Sequence, residues 1–309
     1  MTDLVIEIPL YKKGDIEGFI RCGVFLVQTI WERTGSFCAL SHSLADVKAK
    51  RMPAETIDDV IRSLDSIVEW AHQQQNRAGY FAALYRRVTK AVKQGIATGR
   101  FQNGARMERL DVIFANRYLT AFDDWRQGKP TTLSWKAAFD CTAHWYPLVL
   151  QHLLVGMNAH INLDLGVAAA ACSPGDQLQG LQADFNQINN VLAEQVATVE
   201  QEMASISPWV KLLNTFGLRT ETTIINFSMS KARDCAWNEA CNLATASPNS
   251  LPAAIAAVDL RIGTFGELVA SPPFLVKLKL LPIRLKELNG VRNVLDILAA
   301  DKAAVAARA

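Results

Sequence analysis

Apolar residues recur at helical spacing through most of the chain. After Pro53, the run AETIDDVIRSLDSIVEWAHQQ places Ile57, Val60, Ile61, Leu64, Ile67 and Val68 three or four residues apart at most steps, which predicts an amphipathic helix. Glu55, Asp58 and Asp59 crowd its start, where unpaired N–H groups favour negative charge. Asn76-Arg77-Ala78-Gly79 breaks the pattern, and residues 80–98 predict a second helix ended by Gly99. Asn103 and Gly104 introduce a third, GARMERLDVIFANRYLTAFDDWRQG, closed by Gly128 and Pro130. A short helix around 134–142 leads into HWYPLVLQHLLVGMNAHINLDLGVAAAA, residues 144–171, which Pro147 opens and Ser173-Pro174-Gly175 closes. Further helices are expected at 178–205, 222–246 and 251–270, with a last helical region from the Ser271-Pro272-Pro273 break to residue 300. No segment after residue 15 alternates with period two. The expected fold is all-α, a bundle of about ten helices around the buried helix 147–171.

Residues 1–53 read as an appendage: a β-prone start, one apolar helix near 17–33 and an irregular link. Residues 54–309 read as a single α-helical domain.

The stretch 144–171 carries three of the five histidines, His144, His152 and His160, with Asn158, Asn162 and Asp164. On a wheel of about 100° per residue, His160 and Asp164 share one face, and Asn158 and Asn162 share nearly the opposite one. His152 lies between, and apolar residues fill the other directions. A helix apolar on every side is buried on every side, so its polar groups must find partners on neighbouring helices or on a ligand. His160 and Asp164 are either a buried pair that fixes packing or a reactive centre, as metal ligands or as a base and its orienter.

The neighbour best suited to complete such a centre is the third helix. Glu108 and Asp111, three residues apart, both point into an apolar arc and can converge. They either pair internally with Arg86, Arg87 or Arg106, or join the histidine helix in a mixed N/O site suited to Zn, Fe or Mn. His160, Asp164, Glu108 and His152 are the candidate metal ligands. No HExxH motif is present, and the paired Glu-x-x-His motifs of di-iron bundles are absent. A third stripe, Asn226, Ser230, Arg233, Trp237 and Cys241, would let an arginine stacked near tryptophan bind an anionic or carbonyl group, or would form a helix seam. FLVKLKLLPIRLKEL, residues 274–288, is both basic and apolar; it reads as a packed helix with solvated lysines, or as a membrane-surface segment.

Charge and cysteine usage narrow the setting. Lys plus Arg number 32 against 30 Asp plus Glu, so no global basic field exists to attract nucleic acid. Six scattered cysteines without a CxxC pair point to free thiols in a reducing compartment, and the start MTDLVIEIPLYKK lacks the basic region of a signal peptide. The histidines, asparagines and aspartate of 144–171 argue against a transmembrane segment there. The expected location is cytoplasmic. Phosphate-loop, dinucleotide and GxSxG signatures are missing, and only His42 has flanking serines, Ser41 and Ser43.

RAGYFAALYRRVT (77–89), RMERLDVIFANRYLTAFD (106–123) and LLVGMNAHINLDL (153–165) resemble the signature blocks of the domain-of-unknown-function family number 5995, over roughly residues 55–300. The resemblance implies that the glutamate-aspartate and histidine blocks belong to one module, and it adds Asn116 and Arg117 as candidates. It implies no activity. A looser resemblance to helical zinc-dependent phospholipases C and their nuclease relatives implies a metal-lined bundle interior. This chain departs from it in having too few histidines and no N-terminal tryptophan.

The expected function is that of a metal-assisted hydrolase for a small apolar or lipid-like substrate. His160 would act as ligand or base, Asp164 as its orienter, and Glu108 and Asp111 as ligands or acid–base partners. Asn158, Asn162, Asn116, Arg117, Arg233 and Trp237 would contact substrate. The competing expectations are a non-catalytic lipid or isoprenoid binder and an interaction module whose polar core only enforces packing.

Overall fold

The computed structural model describes residues 52–207, 229–287 and 290–300. These residues fall within one compact unit, Ala49–Ala309. The expected helix near 17–33, Cys22, Cys38, Ser41, His42, Ser43 and Asn226 lie outside the described residues, as does all of the appendage except Met52 and Pro53.

The chain forms α1 (Ile57–Gln74), α2 (Ala78–Ala97), α3 (Gly104–Arg126), α4 (Leu133–Thr142) and α5 (Val149–Met157). A π-helical segment, Asn158–Leu165, continues α5 directly into α6 (Gly166–Cys172). After a 3-10 turn at Gly175–Gln177 come α7 (Leu178–Ile206), α8 (Met229–Ala244), α9 (Leu251–Ala270), α10 (Phe274–Lys286) and α11 (Val291–Ala299). No strand occurs among the described residues. The fold is all-α.

The rod made by α5, the π segment and α6 is the centre. Its first part packs on α2, α4 and α9, its middle on α8 and α9, and its end on α3 and α8. Among the described residues one stretch, Val149–Cys172, is long and apolar enough to cross a membrane, and 83% of its apolar window is buried inside the protein. Glycines allow the closest approaches. A Cβ on Gly156 would sit 2.6 Å from the Phe81 ring, and one on Gly166 would sit 2.9 Å from the Ala236 carbonyl oxygen. Two apolar clusters flank the rod, with Phe114 and Met157 packed against both.

The rod differs from the expected uniform α-helix. Its middle turns are widened, with hydrogen bonds closing at i→i+5 instead of i→i+4. The widening coincides with the polar run Asn158, His160, Asn162 and Asp164, so a single 3.6-residue wheel does not describe its faces. The expected last helical region is also divided, since Glu287 leaves helical geometry and α11 starts afresh at Val291.

Carboxylates from other parts of the chain close the starts of several helices. Glu108 on α3 accepts from Ile57 N of α1 at 3.2 Å. Asp184 on α7 accepts from Gln102 N and Asn103 N at the start of α3, at 2.6 and 3.0 Å. Asp259 on α9 accepts from Leu133 N and Ser134 N of α4, at 2.7 and 2.9 Å. Glu287 accepts from Val149 N of α5 at 3.2 Å. Each acid satisfies N–H groups that have no partner inside their own helix and lies at its positive end.

Asp259 offers a clean measurement of this device. Asp259→Asn keeps the shape and removes the charge, and should lower urea-measured stability by about 1–2 kcal/mol. Glu267→Gln, on the exposed side of the same helix, should stay within about 0.5 kcal/mol of wild type. Equal effects from the two substitutions would mean that the buried contact to α4 adds nothing.

Candidate functional site

The π segment and α3 bring His160, Asp164 and Asp111 into one buried region, together with Tyr85 of α2. His160 is 3% exposed and lies flat on Phe114, with ring centroids 3.6 Å apart and planes 9° apart. Tyr85 meets its edge at 4.3 Å, and Phe81, Tyr118 and Trp135 complete the wall. Neither His160 ring nitrogen has a hydrogen-bond partner among the described residues. Its Nδ1 stands 3.6 Å from Asp164 Oδ2, just beyond hydrogen-bond reach. Burial holds the imidazole below its ordinary pKa, against the pull of Asp164, so the ring is neutral at pH 7.

Asp164 is fixed by two donors. Arg117 Nε donates to Oδ1 and Trp135 Nε1 donates to Oδ2, both at 2.7 Å. A buried carboxylate needs such partners, and charge-assisted bonds of this length are strong ones. Asp164 is therefore held rigidly beside a neutral imidazole.

Asp111 has the opposite character. Its Oδ2 is buried with no hydrogen-bond partner among the described residues, and burial, reinforced by Glu108, pushes its carboxyl up to about 7. The arginines expected to neutralise it are engaged elsewhere: Arg86 with Asp65, Arg87 with Glu202 and Arg106 with Asp184. The Tyr85 hydroxyl is also buried and without a hydrogen-bond partner there, and its pKa is raised well above 10, first by burial and then by Asp111 and Asp164.

The other candidates separate. Glu108 is turned toward the start of α1, and His152 faces a different region. Among the described residues, no group of three or more His, Cys, Asp and Glu side chains is arranged to hold a metal ion. The expected set of His160, Asp164, Glu108 and His152 does not assemble, because the α1 cap draws Glu108 away and His152 lies more than two helical turns before His160. Asn162 Nδ2 donates to Asn158 Oδ1, and Asn158 Nδ2 donates to the Ile262 carbonyl, both at 2.9 Å, tying the rod to α9. Asn116 holds both backbone groups of Ala54. Arg233 stacks on Phe185 at 4.4 Å, not on Trp237, and donates to Asn189 Oδ1 and the Phe185 carbonyl. The ring and carbonyl that α7 presents there make this stripe a seam between α7 and α8. Trp237 packs on the same Phe185.

His152 borders a surface cleft of about 390 Å³, whose lining also includes Arg77, Tyr80, Trp145 and Arg284. Its Nδ1 is 3.5 Å from Cys141 Sγ, and its Nε2 is buried without a hydrogen-bond partner among the described residues. Burial, with Arg77 and Arg284 nearby, lowers its pKa to about 3. Burial also pushes the Tyr80 hydroxyl up to about 12.

The model of a family of unknown function (DUF5995) matches residues 57–272. The chain belongs to that family. Searches among curated proteins and among solved structures returned no match. The DUF5995 span contains Tyr85, Asp111, Phe114, Arg117, Trp135, His160 and Asp164, so the whole buried centre lies inside the family module. Tyr85, Phe114 and Trp135 were not among the residues expected from sequence. Helical spacing makes them ordinary apolar positions, and only the Tyr85 hydroxyl and the Trp135 indole N–H, each needing a partner when buried, could have drawn attention.

The raised pKa of Asp111 sets a sign for stability against pH. Between pH 3.8 and about 7 the folded state keeps a proton that the unfolded state has released, so stability falls as pH rises through that window. Glu287, pushed up to about 7 mainly by burial, acts in the same direction. His152 and His160 act oppositely, because the unfolded state protonates them below about 6.5. The difference between Asp111→Asn and wild type isolates one group. The variant should gain about 1–3 kcal/mol relative to wild type between about pH 5 and 8, by urea unfolding at each pH. A pH-independent difference would show that Asp111 titrates normally.

Proposed function

We propose that this DUF5995 protein is an enzyme that carries out acid–base chemistry on a small, largely apolar substrate at the Tyr85–Asp111–His160 centre. One observation carries the reading: Tyr85 Oη, Asp111 Oδ2 and both His160 nitrogens are buried in one region, each without a hydrogen-bond partner among the described residues. An unsatisfied buried polar atom costs about 1–3 kcal/mol, so such a group of them calls for a ligand or water that completes it. The adjoining π-helical turn is a feature found frequently at functional sites.

Each residue has a role suited to its surroundings. Asp111, with its carboxyl near neutrality, carries the proton. Neutral His160 hydrogen-bonds the substrate, with Asp164 clamped behind it by Arg117 and Trp135. Tyr85 donates to the oxygen that gains charge. Hydrolysis is the reaction class this set can perform alone: water adds to a carbonyl and gives a proton to Asp111, which then returns it to the departing oxygen. No metal is invoked, because the expected ligands do not come together. The free thiols of Cys141, Cys172, Cys235 and Cys241 support a cytoplasmic setting.

The rival reading, a polar core that serves packing alone, draws on the aromatic walls around His160 and on its 3% exposure. Nitrophenyl butyrate hydrolysis and urea unfolding together separate the two. An enzyme should turn the ester over and lose at least about a hundredfold in His160→Gln and Asp111→Asn, with Asp111→Leu more stable than wild type at pH 8. No turnover, with Asp111→Leu and His160→Phe both destabilised, would establish the packing role. An apolar molecule that co-purifies and is not turned over would make the protein a carrier.

A further inference from the structure

The α10 helix has two apolar faces. Leu280 and Ile283 point into the core, at 6% and 3% exposure. On the opposite side Phe274 is 75% exposed, Leu278 54% and Leu285 60%, with Leu275 at 68% beside them. At about 100° per residue, Phe274, Leu278, Leu281 and Leu285 fall within an arc of about 60°. This stripe is bordered on both sides by cations, Lys277 on one flank and Lys279 and Lys286 on the other, whereas Arg284, above Lys277, is 12% exposed and pairs with Glu287 at 3.6 Å. No Asp or Glu occurs between residues 274 and 286.

Aromatic residues sit beside one flank. Lys277 lies 4.8 Å over the Tyr146 ring, and Arg284 Nε donates to the Trp145 carbonyl at 2.6 Å. Trp145 itself is 56% exposed. Tyrosine and tryptophan favour the boundary between water and lipid, where an apolar ring and a polar edge are both accommodated.

We propose that α10 is a membrane-surface helix, which lies flat on a bilayer containing anionic lipid and inserts Phe274, Leu278 and Leu285 among the acyl chains. The basic borders select the partner. Cations on either side of an exposed apolar stripe match negative headgroups, while the leucines enter the hydrocarbon edge. A second copy of the chain is a poorer occupant, because a two-fold pairing of this face would set lysine rows against each other. The helix is held on the protein by its other face, so docking needs no unfolding.

Flotation of the full-length protein with vesicles tests this assignment. Phosphatidylcholine vesicles should bind little, and vesicles that also contain phosphatidylserine should bind well at low salt and weakly at high salt. Lys279→Gln should weaken binding about fivefold, and adding Lys286→Gln should weaken it about fivefold again. Leu278→Ser with Leu285→Ser should weaken it at least about tenfold, with Tm unchanged because both residues are exposed. Absence of binding to phosphatidylserine vesicles at low salt would overturn the assignment. So would binding that neither double variant reduces. A dimer in sedimentation equilibrium that the leucine variants abolish would give the face to a second copy. A Leu278→Cys thiol that resists labelling without vesicles would give it to another part of the same chain.

Discussion

An α-helix begins with N–H groups that nothing within it can accept. In this protein, helix starts around the centre are closed by carboxylates borrowed from other helices or, for Glu287, from the end of α10. Asp184, Asp259 and Glu287 are buried, at 1%, 7% and 3% exposure, which an acid tolerates only when partnered. Here the partner is the positive end of a helix. Each cap therefore does two things, satisfying backbone groups and fixing where one helix begins relative to another. The central rod depends on this arrangement, since α4 leads into it, α5 is its first part, and both are capped from outside.

The same constraint explains how Glu108 and Asp111 diverge despite lying three residues apart. Glu108 reaches the start of α1 and becomes a structural acid. Asp111, on the inner side, has an Oδ2 that meets no helix end and no arginine among the described residues, and burial drives its carboxyl toward the protonated form. Asp164 shows the third outcome for an acid in this core, held by a guanidinium and an indole. Composition treats these residues alike. Their neighbours make one a cap, leave one without a hydrogen-bond partner for its Oδ2 among the described residues, and clamp the third between two donors.

Much of the architecture was legible in the chain. Periodicity located the helices, Asn103 marked a real start, and the all-apolar character of 147–171 identified the central element. Also readable was that His160 and Asp164 share a face, since a spacing of four survives the change from α to π winding. The winding itself was not readable, because an apolar helix with scattered polar residues fits either period. Partner choice was hidden as well. Arg233 meets Phe185 in place of Trp237, and Asn116 closes on Ala54 62 residues away. Such pairings are set by the tertiary fold, and local spacing carries no trace of them.

The caps also have a direction along the chain. Glu108 serves a helix 51 residues earlier, Asp184 one 82 earlier, Asp259 one 126 earlier and Glu287 one 138 earlier. A ribosome therefore releases each of these helix starts well before it makes the acid that completes it. Contacts of such long sequence separation form slowly, and the central rod leaves the exit tunnel while its own cap is still untranslated. The nascent chain must carry this apolar rod unfinished until Glu287 is made, so the interval between translation of the rod and of α10 is the stage at which it depends on protection from aggregation.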